Sequence, residues 1–142
     1  MIATIFDAIV RSDRNGRGAA GETFASDLLK AAGYDVQKRV EKKCGDLRAA
    51  DTDTGEFWNI EVKTAKQRPD GKFCFQLINK TQDYRHSDYV LLLAILRGGK
   101  VASYLIPVKT LQKRGVKKSL TICNVNSGMW SHFRVKRTVK LV

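Results

Sequence analysis

Residues 57–64 read FWNIEVKT, and this stretch decides the fold. Aromatic and β-branched residues that alternate with polar ones are typical of a β-strand. Alternation divides the side chains between two faces, with Trp58, Ile60, Val62 and Thr64 on one and Phe57, Asn59, Glu61 and Lys63 on the other. The first face predicts a core contact. The second face sets an acid and a base roughly 6.7 Å apart along the strand, pointing into the same space.

Short strands and helices are predicted on both sides of this stretch. Upstream, the pattern indicates a helix over residues 22–32 that ends at Gly33, and strands over 34–40 and 46–51 with a turn at Thr54-Gly55. Downstream, it predicts strands over 73–77, 88–96, 101–106, 119–123 and 132–141, and a short helix over 107–114. Short connections make the first three strands an antiparallel meander.

The apolar run at residues 88–96 predicts the central strand, covered on both faces. Together these elements predict an α/β or α+β fold, a mixed sheet flanked by helices. Residues 12–21, rich in glycine, are expected to form a flexible linker. We therefore divide the chain into an N-terminal segment with a basic arm, residues 1–20, and a single domain, residues 21–142.

Length and composition limit the class of protein. A chain of 142 residues with 43% hydrophobic side chains suits one domain with a full core. No apolar run approaches the roughly 18 residues of a membrane span, and the first residues lack the features of a signal peptide. We expect a cytoplasmic protein that is not secreted and does not contact a membrane.

Cysteine and histidine exclude several kinds of site. Cys44, Cys74 and Cys123 are scattered, which argues against a disulfide framework or a zinc knuckle. His86 and His132 have no cysteine at ligand spacing and are expected to be ordinary surface or core residues. The sequence also lacks a Walker glycine loop and a serine-nucleophile elbow.

Charge is unevenly distributed along the chain. The formal net charge is +12, and every acidic residue lies at or before Asp88. Residues 97–142 hold 11 basic and no acidic side chains. Such an excess of positive charge is expected of a protein that binds nucleic acid. The alternative is a basic surface that only faces solvent.

Two further carboxylates belong with the Glu61–Lys63 pair. Asp46 follows a glycine and opens the strand before it, so its side chain can approach the same point. Glu22 lies nearly two helical turns before Leu29, on the inward side of the predicted helix. Carboxylates avoid such positions unless they are paired or bind a metal, although a first-turn acid can also interact with the helix dipole.

The order Glu22, Gly45-Asp46, Glu61-Val62-Lys63 resembles the PD-(D/E)XK nuclease superfamily. The strong part of the match covers roughly residues 18–64. Within the superfamily, the sequence is most similar to small Holliday junction resolvases of archaea and phages and to group I intron-encoded homing endonucleases of this fold. Gly45 stands where the superfamily name has proline. The resemblance implies a restriction-endonuclease-like mixed central sheet flanked by helices.

The resemblance also implies a metal-dependent reaction. Asp46, Glu61 and the Val62 carbonyl would bind Mg²⁺, with Mn²⁺ able to substitute, and Glu22 would be an outer ligand. Lys63 would orient or help deprotonate the attacking water and offset the negative charge on the phosphorane. The catalytic residues are thus Glu22, Asp46, Glu61 and Lys63.

Basic and polar residues elsewhere are candidates for DNA contacts. They are Arg14 and Arg17 in the glycine-rich arm, Lys66, Arg68 and Lys72 after the catalytic strand, Gln76 on the next strand, Lys113, Arg114, Lys117 and Lys118, and the ridge Arg134, Lys136 and Lys140. Lysine and arginine would grip the DNA backbone without reading sequence. A solvent-facing Gln76 and a disordered leader at Arg14 and Arg17 are the alternatives.

We expect a Mg²⁺-dependent endonuclease that cuts branched DNA, because so short a chain leaves no obvious base-reading domain. Cutting two strands of a junction symmetrically calls for a homodimer or a higher homo-oligomer, and residues 1–10 could supply the contact. One alternative is a sequence-specific homing or restriction endonuclease. Another is a nucleic-acid-binding module without catalysis, in which the carboxylates form structural ion pairs.

Overall fold

The computed structural model describes residues 14–39, 45–136 and 139–142, apart from the side chains of residues 14–17. We number the helices and strands in chain order. They are α1 (Arg14–Ala31), β1 (Asp35–Lys38), β2 (Leu47–Ala50), β3 (Phe57–Lys66), β4 (Phe73–Gln76), β5 (Tyr89–Ile95), β6 (Val101–Pro107), α2 (Val108–Lys113) and β7 (Ser119–Ile122). Single 3₁₀ turns occupy Tyr84–His86 and Ser131–Phe133.

Five strands form a mixed sheet in the order β1-β2-β3-β5-β6. The first three are antiparallel, β5 runs parallel to β3, and β6 returns antiparallel to β5. Strands β4 and β7 pair in a separate two-stranded sheet. The predicted meander, the β5–β6 hairpin and the short helix after Pro107 are therefore confirmed.

Both faces of the large sheet are covered, and the two sides of β3 take part in different cores. Trp58, Ile60 and Val62 pack with Ala25 and Leu29 of α1. The opposite side of the sheet packs against β4, β7 and α2. All seven residues of β5 are buried, as its apolar run predicts. However, β5 is second from the edge, and β3 is the central strand.

Helix α1 approaches β3 closely because Gly21 faces the sheet. A Cβ atom on Gly21 would lie 2.3 Å from the Thr64 hydroxyl oxygen, so only glycine fits without a shift. Gly21 is buried, as are Ala25 and Leu29 one and two turns further on. Glu22 is half-buried, at the margin of this stripe rather than at its centre.

The expected flexible linker is wrong for residues 14–21, because α1 already begins at Arg14. The boundary that we drew between residues 20 and 21 falls inside this helix. Glycine there serves close packing, at least at Gly21, rather than mobility. Residues 12 and 13 of the linker, and residues 1–10 of the expected dimer contact, lie outside the described part of the chain.

The strand expected over residues 132–141 is also wrong for the residues described. Ser131–Phe133 is a 3₁₀ turn, and Arg134 makes an isolated bridge to Tyr104. Alternation of polar and apolar side chains does not by itself form a strand here, because the described backbone pairs with β6 only at this bridge. Residues 137 and 138 lie outside the described part.

The remaining expectations concern individual residues. His86 and His132 are exposed, and neither Cys74 nor Cys123 is in a disulfide. Cys44 lies outside the described residues. Within the described ranges, no helix has the length and apolar character needed to span a bilayer.

Candidate active site

The candidate site lies where β2 stops pairing with β3. The last residue pair of this ladder is Leu47 opposite Ile60. Beyond it the Asp46 amide donates to the Ile60 carbonyl at 2.9 Å, and the Asp46 Oδ2 atom accepts from the Val62 amide at 2.8 Å. The Asp46 carboxylate thus takes the place of the next backbone group of β2, and it is only 4% exposed.

Gly45 explains how the chain reaches this position. Its φ of +104° lies in the left-handed region that favours glycine. A Cβ atom on Gly45 would lie 2.7 Å from Ser87 Oγ and 2.9 Å from the Ile60 carbonyl oxygen. Backbone conformation and space therefore both require glycine directly before Asp46.

A third side chain joins Asp46 to Lys63. The Gln82 Nε2 atom donates to Asp46 Oδ1 at 2.9 Å, and Lys63 Nζ donates to Gln82 Oε1 at 3.0 Å. The residues that the sequence predicts as acid and amine of the site are therefore linked through one amide group. The sequence gives no signal for Gln82, which is 36 positions from Asp46 and 19 from Lys63.

Glu61 is the most deeply buried carboxylate of the predicted set. Its side chain is 1% exposed, and its Oε2 atom has no hydrogen-bond partner. Burial raises the pKa of Glu61 from 4.5 to about 7, partly offset by the positive charge of Lys63. The negative charges of Asp46 and Asp83 contribute to the raised pKa of Glu61. Glu61 and Asp46 thus interact electrostatically, and one oxygen of Glu61 has no hydrogen-bond partner.

A cleft of about 650 Å³ opens beside this network. Glu22 from α1, Asp46, Val62, Lys63 and Gln82 all line it. The structure therefore brings Glu22, Asp46, Val62 and Lys63, four of the five residues predicted for catalysis or metal binding, to one cavity. Glu61 does not line the cleft and is buried behind it.

The donor set fits a divalent cation through two carboxylates. Mg²⁺ prefers oxygen ligands and is often held by one or two carboxylates with waters. Asp46 and the unpartnered oxygen of Glu61 provide such a pair. Among the described side chains, no three from Asp, Glu, His and Cys are grouped closely enough to hold one ion. The three predicted carboxylates Glu22, Asp46 and Glu61 therefore do not form one such group, and the places of Glu22 as an outer ligand and of the Val62 carbonyl stay predictions.

The residues predicted to bind DNA near β3 divide into two groups. Lys66, Arg68 and Gln76 line the cleft. Arg68 also pairs with Asp70 at 2.9 Å. Lys72 is exposed but is not part of the lining.

A second basic surface follows α2. Lys113, Arg114, Lys117 and Lys118 are all exposed. The Arg114 guanidinium lies 4.9 Å from the Trp130 ring centre. The backbone carbonyl of Lys118 accepts from the amide of Leu77 at 2.7 Å. Leu77 directly follows Gln76, the last residue of β4, so this basic surface adjoins the end of β4.

The C-terminal ridge and the N-terminal arm differ from what the sequence predicts. Arg134 is half-buried and donates to the Val125 carbonyl at 2.5 Å, so part of its hydrogen-bonding capacity is used inside the protein. Lys136 and Lys140 are exposed. Arg14 and Arg17 lie on α1 rather than in an arm before it. Their side chains are not among those that the structure describes.

Comparison with known proteins gives the fold. No protein-family model matches the sequence, and neither does any curated protein. The structure is similar to that of the bacterial homing endonuclease I-Ssp6803I, with a TM-score of 0.65, 13% identity, and coverage of 87% of this chain and 89% of that one. A Holliday junction resolvase, Hjc from Archaeoglobus fulgidus, aligns with a TM-score of 0.47, 19% identity, and coverage of 75% and 83%. The chain has the restriction-endonuclease-like fold that the sequence predicts.

Proposed function

We propose that this protein is a divalent-metal-dependent DNA endonuclease that hydrolyses phosphodiester bonds. One observation carries the proposal: Asp46 and Lys63 are joined through Gln82 at a cleft, and one carboxylate oxygen of buried Glu61 has no hydrogen-bond partner. A buried polar atom without such a partner is costly for folding alone, and a bound cation would supply one. The fold shared with a homing endonuclease supports this assignment.

Asp46 and Glu61 would hold Mg²⁺, or Mn²⁺ in its place. When bound, such an ion acts as a Lewis acid on a phosphoryl oxygen and lowers the pKa of coordinated water. Its positive charge would also stabilise the ionised form of Glu61, whose pKa burial raises to about 7. Val62 would add its backbone carbonyl, and Glu22 would act from the part of the cleft lining that α1 contributes.

Lys63 supplies the positive charge of the reaction. Its amine donates to the side-chain oxygen of Gln82, Oε1, at 3.0 Å at the wall of the cleft. From there it can orient the attacking water and stabilise negative charge that develops on the phosphoryl group. Lys66 and Arg68 line the same cleft and can hold the flanking DNA backbone.

The shape of the DNA substrate follows from less direct arguments. Cleavage of branched DNA is our first expectation, because Glu22, Asp46 and the Glu61-Val62-Lys63 stretch resemble the motif of small Holliday junction resolvases. Likeness to a homing endonuclease over 87% of the chain favours a second candidate, cleavage at a specific site in linear duplex. Both reactions cut two strands and call for two copies of the site, so we propose a homodimer or higher homo-oligomer. We also propose that the protein acts on DNA in the cytoplasm of a prokaryotic or phage-infected cell.

A nicking assay tests the function and separates the substrates. The purified protein is incubated with four-way junction, flap and linear duplex DNA, with Mg²⁺, with Mn²⁺ and with a chelator. We expect metal-dependent cleavage, and its loss in Glu61→Gln. Glu56→Gln is the matched control, because Glu56 is an exposed acid outside the cleft lining.

The outcomes distinguish the alternatives. Preferential cutting of the junction supports branched DNA as substrate, whereas cutting of one duplex sequence supports the homing-type reaction. Binding of DNA by the wild type without hydrolysis under any metal condition would leave only a nucleic-acid-binding module. Sedimentation analysis with and without DNA measures the oligomeric state.

A further inference from the structure

We propose that Gln82 is a positioning residue that sets the Asp46 carboxylate and the Lys63 amine for metal binding and catalysis. This inference rests on the proposed function. Its amide is the one group seen to contact both side chains among the described residues, through bonds of 2.9 Å and 3.0 Å. Gln82 itself lines the cleft.

The orientation of the amide is fixed by chemistry. A carboxylate only accepts hydrogen bonds and an ammonium only donates them, so the Gln82 nitrogen must face Asp46 and its oxygen must face Lys63. Asp46 Oδ2 is held by the Val62 amide, and Gln82 restrains the other oxygen. Both oxygens of Asp46 are thereby oriented before any ligand binds.

The same amide keeps opposite charges apart. The neutral amide lies between the Lys63 ammonium and the Asp46 carboxylate. Lys63 therefore has a hydrogen-bond partner without forming a direct ion pair with Asp46, the carboxylate proposed to bind the metal.

The turn that carries Gln82 is closed by its own hydrogen bonds. Asn79 Oδ1 accepts from the backbone amides of Thr81 at 2.9 Å and Gln82 at 2.8 Å. The Asn79 backbone amide donates to the Gln82 backbone carbonyl at 2.9 Å, and Ile78 forms a bridge to Asp83. The fold thus places the backbone of Gln82, and the bonds to Asp46 and Lys63 orient its side-chain amide.

Two substitutions test the role of Gln82. Gln82→Met keeps the length of the side chain but removes both hydrogen bonds, and Gln82→Glu keeps the contact to Lys63 but cannot donate to Asp46. Both variants are expected to lower kcat by about 10-fold to 100-fold, as loss of such supporting partners does, while KM for DNA stays unchanged. The Mg²⁺ concentration for half-maximal cleavage should rise.

The control is Gln112→Ala, which removes an exposed glutamine of α2 away from the cleft. A readout without DNA is the rise in melting temperature on adding Mn²⁺. We expect this rise to shrink in Gln82→Met and to remain in Gln112→Ala. Melting curves without metal verify that each variant folds.

Each outcome bears on one proposal. Wild-type kcat and metal requirement in both Gln82 variants would overturn the positioning role, and so would an equal loss in Gln112→Ala. If the wild type cuts no DNA, the proposed function is wrong, and the rise in melting temperature on adding Mn²⁺ then tests the role of Gln82. Loss of this rise in Gln82→Met supports the positioning role, and an unchanged rise overturns the positioning role.

Discussion

Glu61 links the chemistry of the site to the stability of the protein. Burial raises the pKa of Glu61 to about 7 in the fold, against 4.5 as the ordinary value. The folded state therefore binds more protons than the unfolded state between these two pH values. By linkage, the free energy of unfolding of the metal-free protein falls as pH rises through this window. Deprotonation costs the fold at most about 3 kcal/mol above about pH 7.

We therefore expect Glu61→Gln to become more stabilising, relative to wild type, as pH rises. In urea titrations with a chelator, the stability difference between variant and wild type should increase by about 2 to 3 kcal/mol from about pH 4.5 to about pH 8. Glu56→Gln, at an exposed position, should show no such increase. A difference that is independent of pH would show that Glu61 does not titrate in this range.

Gly45 is the position where the backbone itself limits substitution. We expect Gly45→Ala to destabilise the protein by about 3 kcal/mol, because a positive φ and contact with the Ile60 carbonyl both oppose a Cβ atom. Gly55→Ala is the matched control. Its φ of +75° is also positive, but no atom lies within 4 Å of the added Cβ, so it should cost only about 1 to 2 kcal/mol. Thermal unfolding measures both, and equal losses would exclude a role for the crowding at Gly45.

At the scale of elements, the packing of α1 against β3 is set by one residue. Gly21→Ala introduces a Cβ atom 2.3 Å from the Thr64 hydroxyl oxygen, so helix or side chain has to move. We expect a loss of about 1 to 3 kcal/mol in urea unfolding. The displaced helix should also carry Glu22 away from the cleft and reduce cleavage.

Gly18 offers the opposite expectation in the same helix. A Cβ atom on Gly18 meets nothing within 4 Å. Gly18→Ala should therefore stabilise the protein by about 1 kcal/mol through helix propensity alone. If both substitutions changed stability in the same direction, the close approach of α1 to Thr64 would not be what determines their effect.

Some elements could be predicted from the sequence because their signals are local. Strand β3 alternates, β5 is a continuous apolar run, and Pro107 opens α2, so each pattern lies within the element that it predicts. In contrast, the glycines of residues 14–21 indicate flexibility by composition, although Gly21 is needed for tertiary contact with Thr64. Polar and apolar residues do alternate near Arg134, but the backbone there forms only an isolated bridge, to Tyr104.

The candidate site divides in the same way. Asp46, Glu61 and Lys63 could be found because their spacing and types resemble a known motif. Gln82 could not, because its partners are distant in sequence and a turn-borne glutamine has no distinctive pattern. The burial of Glu61 behind the cleft, rather than at its wall, also depends on how the second sheet packs against β3.

For the whole molecule, the separation of charge along the chain predicts how DNA binding responds to salt. Residues 97–142 carry 11 basic and no acidic side chains, and Lys117 and Lys118 are exposed on the surface that follows α2. We expect steep weakening of DNA affinity with salt. Lys117→Ala combined with Lys118→Ala should lower the slope of log affinity against log salt by about 2, since each phosphate contact contributes about 0.9.

The same double variant should cut saturating DNA at the wild-type rate, because neither side chain lines the cleft. Fluorescence anisotropy at several salt concentrations, with Ca²⁺ to prevent cleavage, measures the slope. Lys66→Ala, inside the cleft, is the comparison and should reduce both affinity and rate. An unchanged slope in the double variant would place DNA elsewhere on the molecule.

The contact between Asp46 and the Val62 amide also makes the site observable by spectroscopy. This amide hydrogen is bonded to a side-chain oxygen instead of to a neighbouring strand. Its proton resonance therefore senses any redistribution of electron density on that oxygen. A ¹H–¹⁵N correlation spectrum would follow occupancy of the carboxylate through a single backbone peak, in the absence of DNA and without turnover.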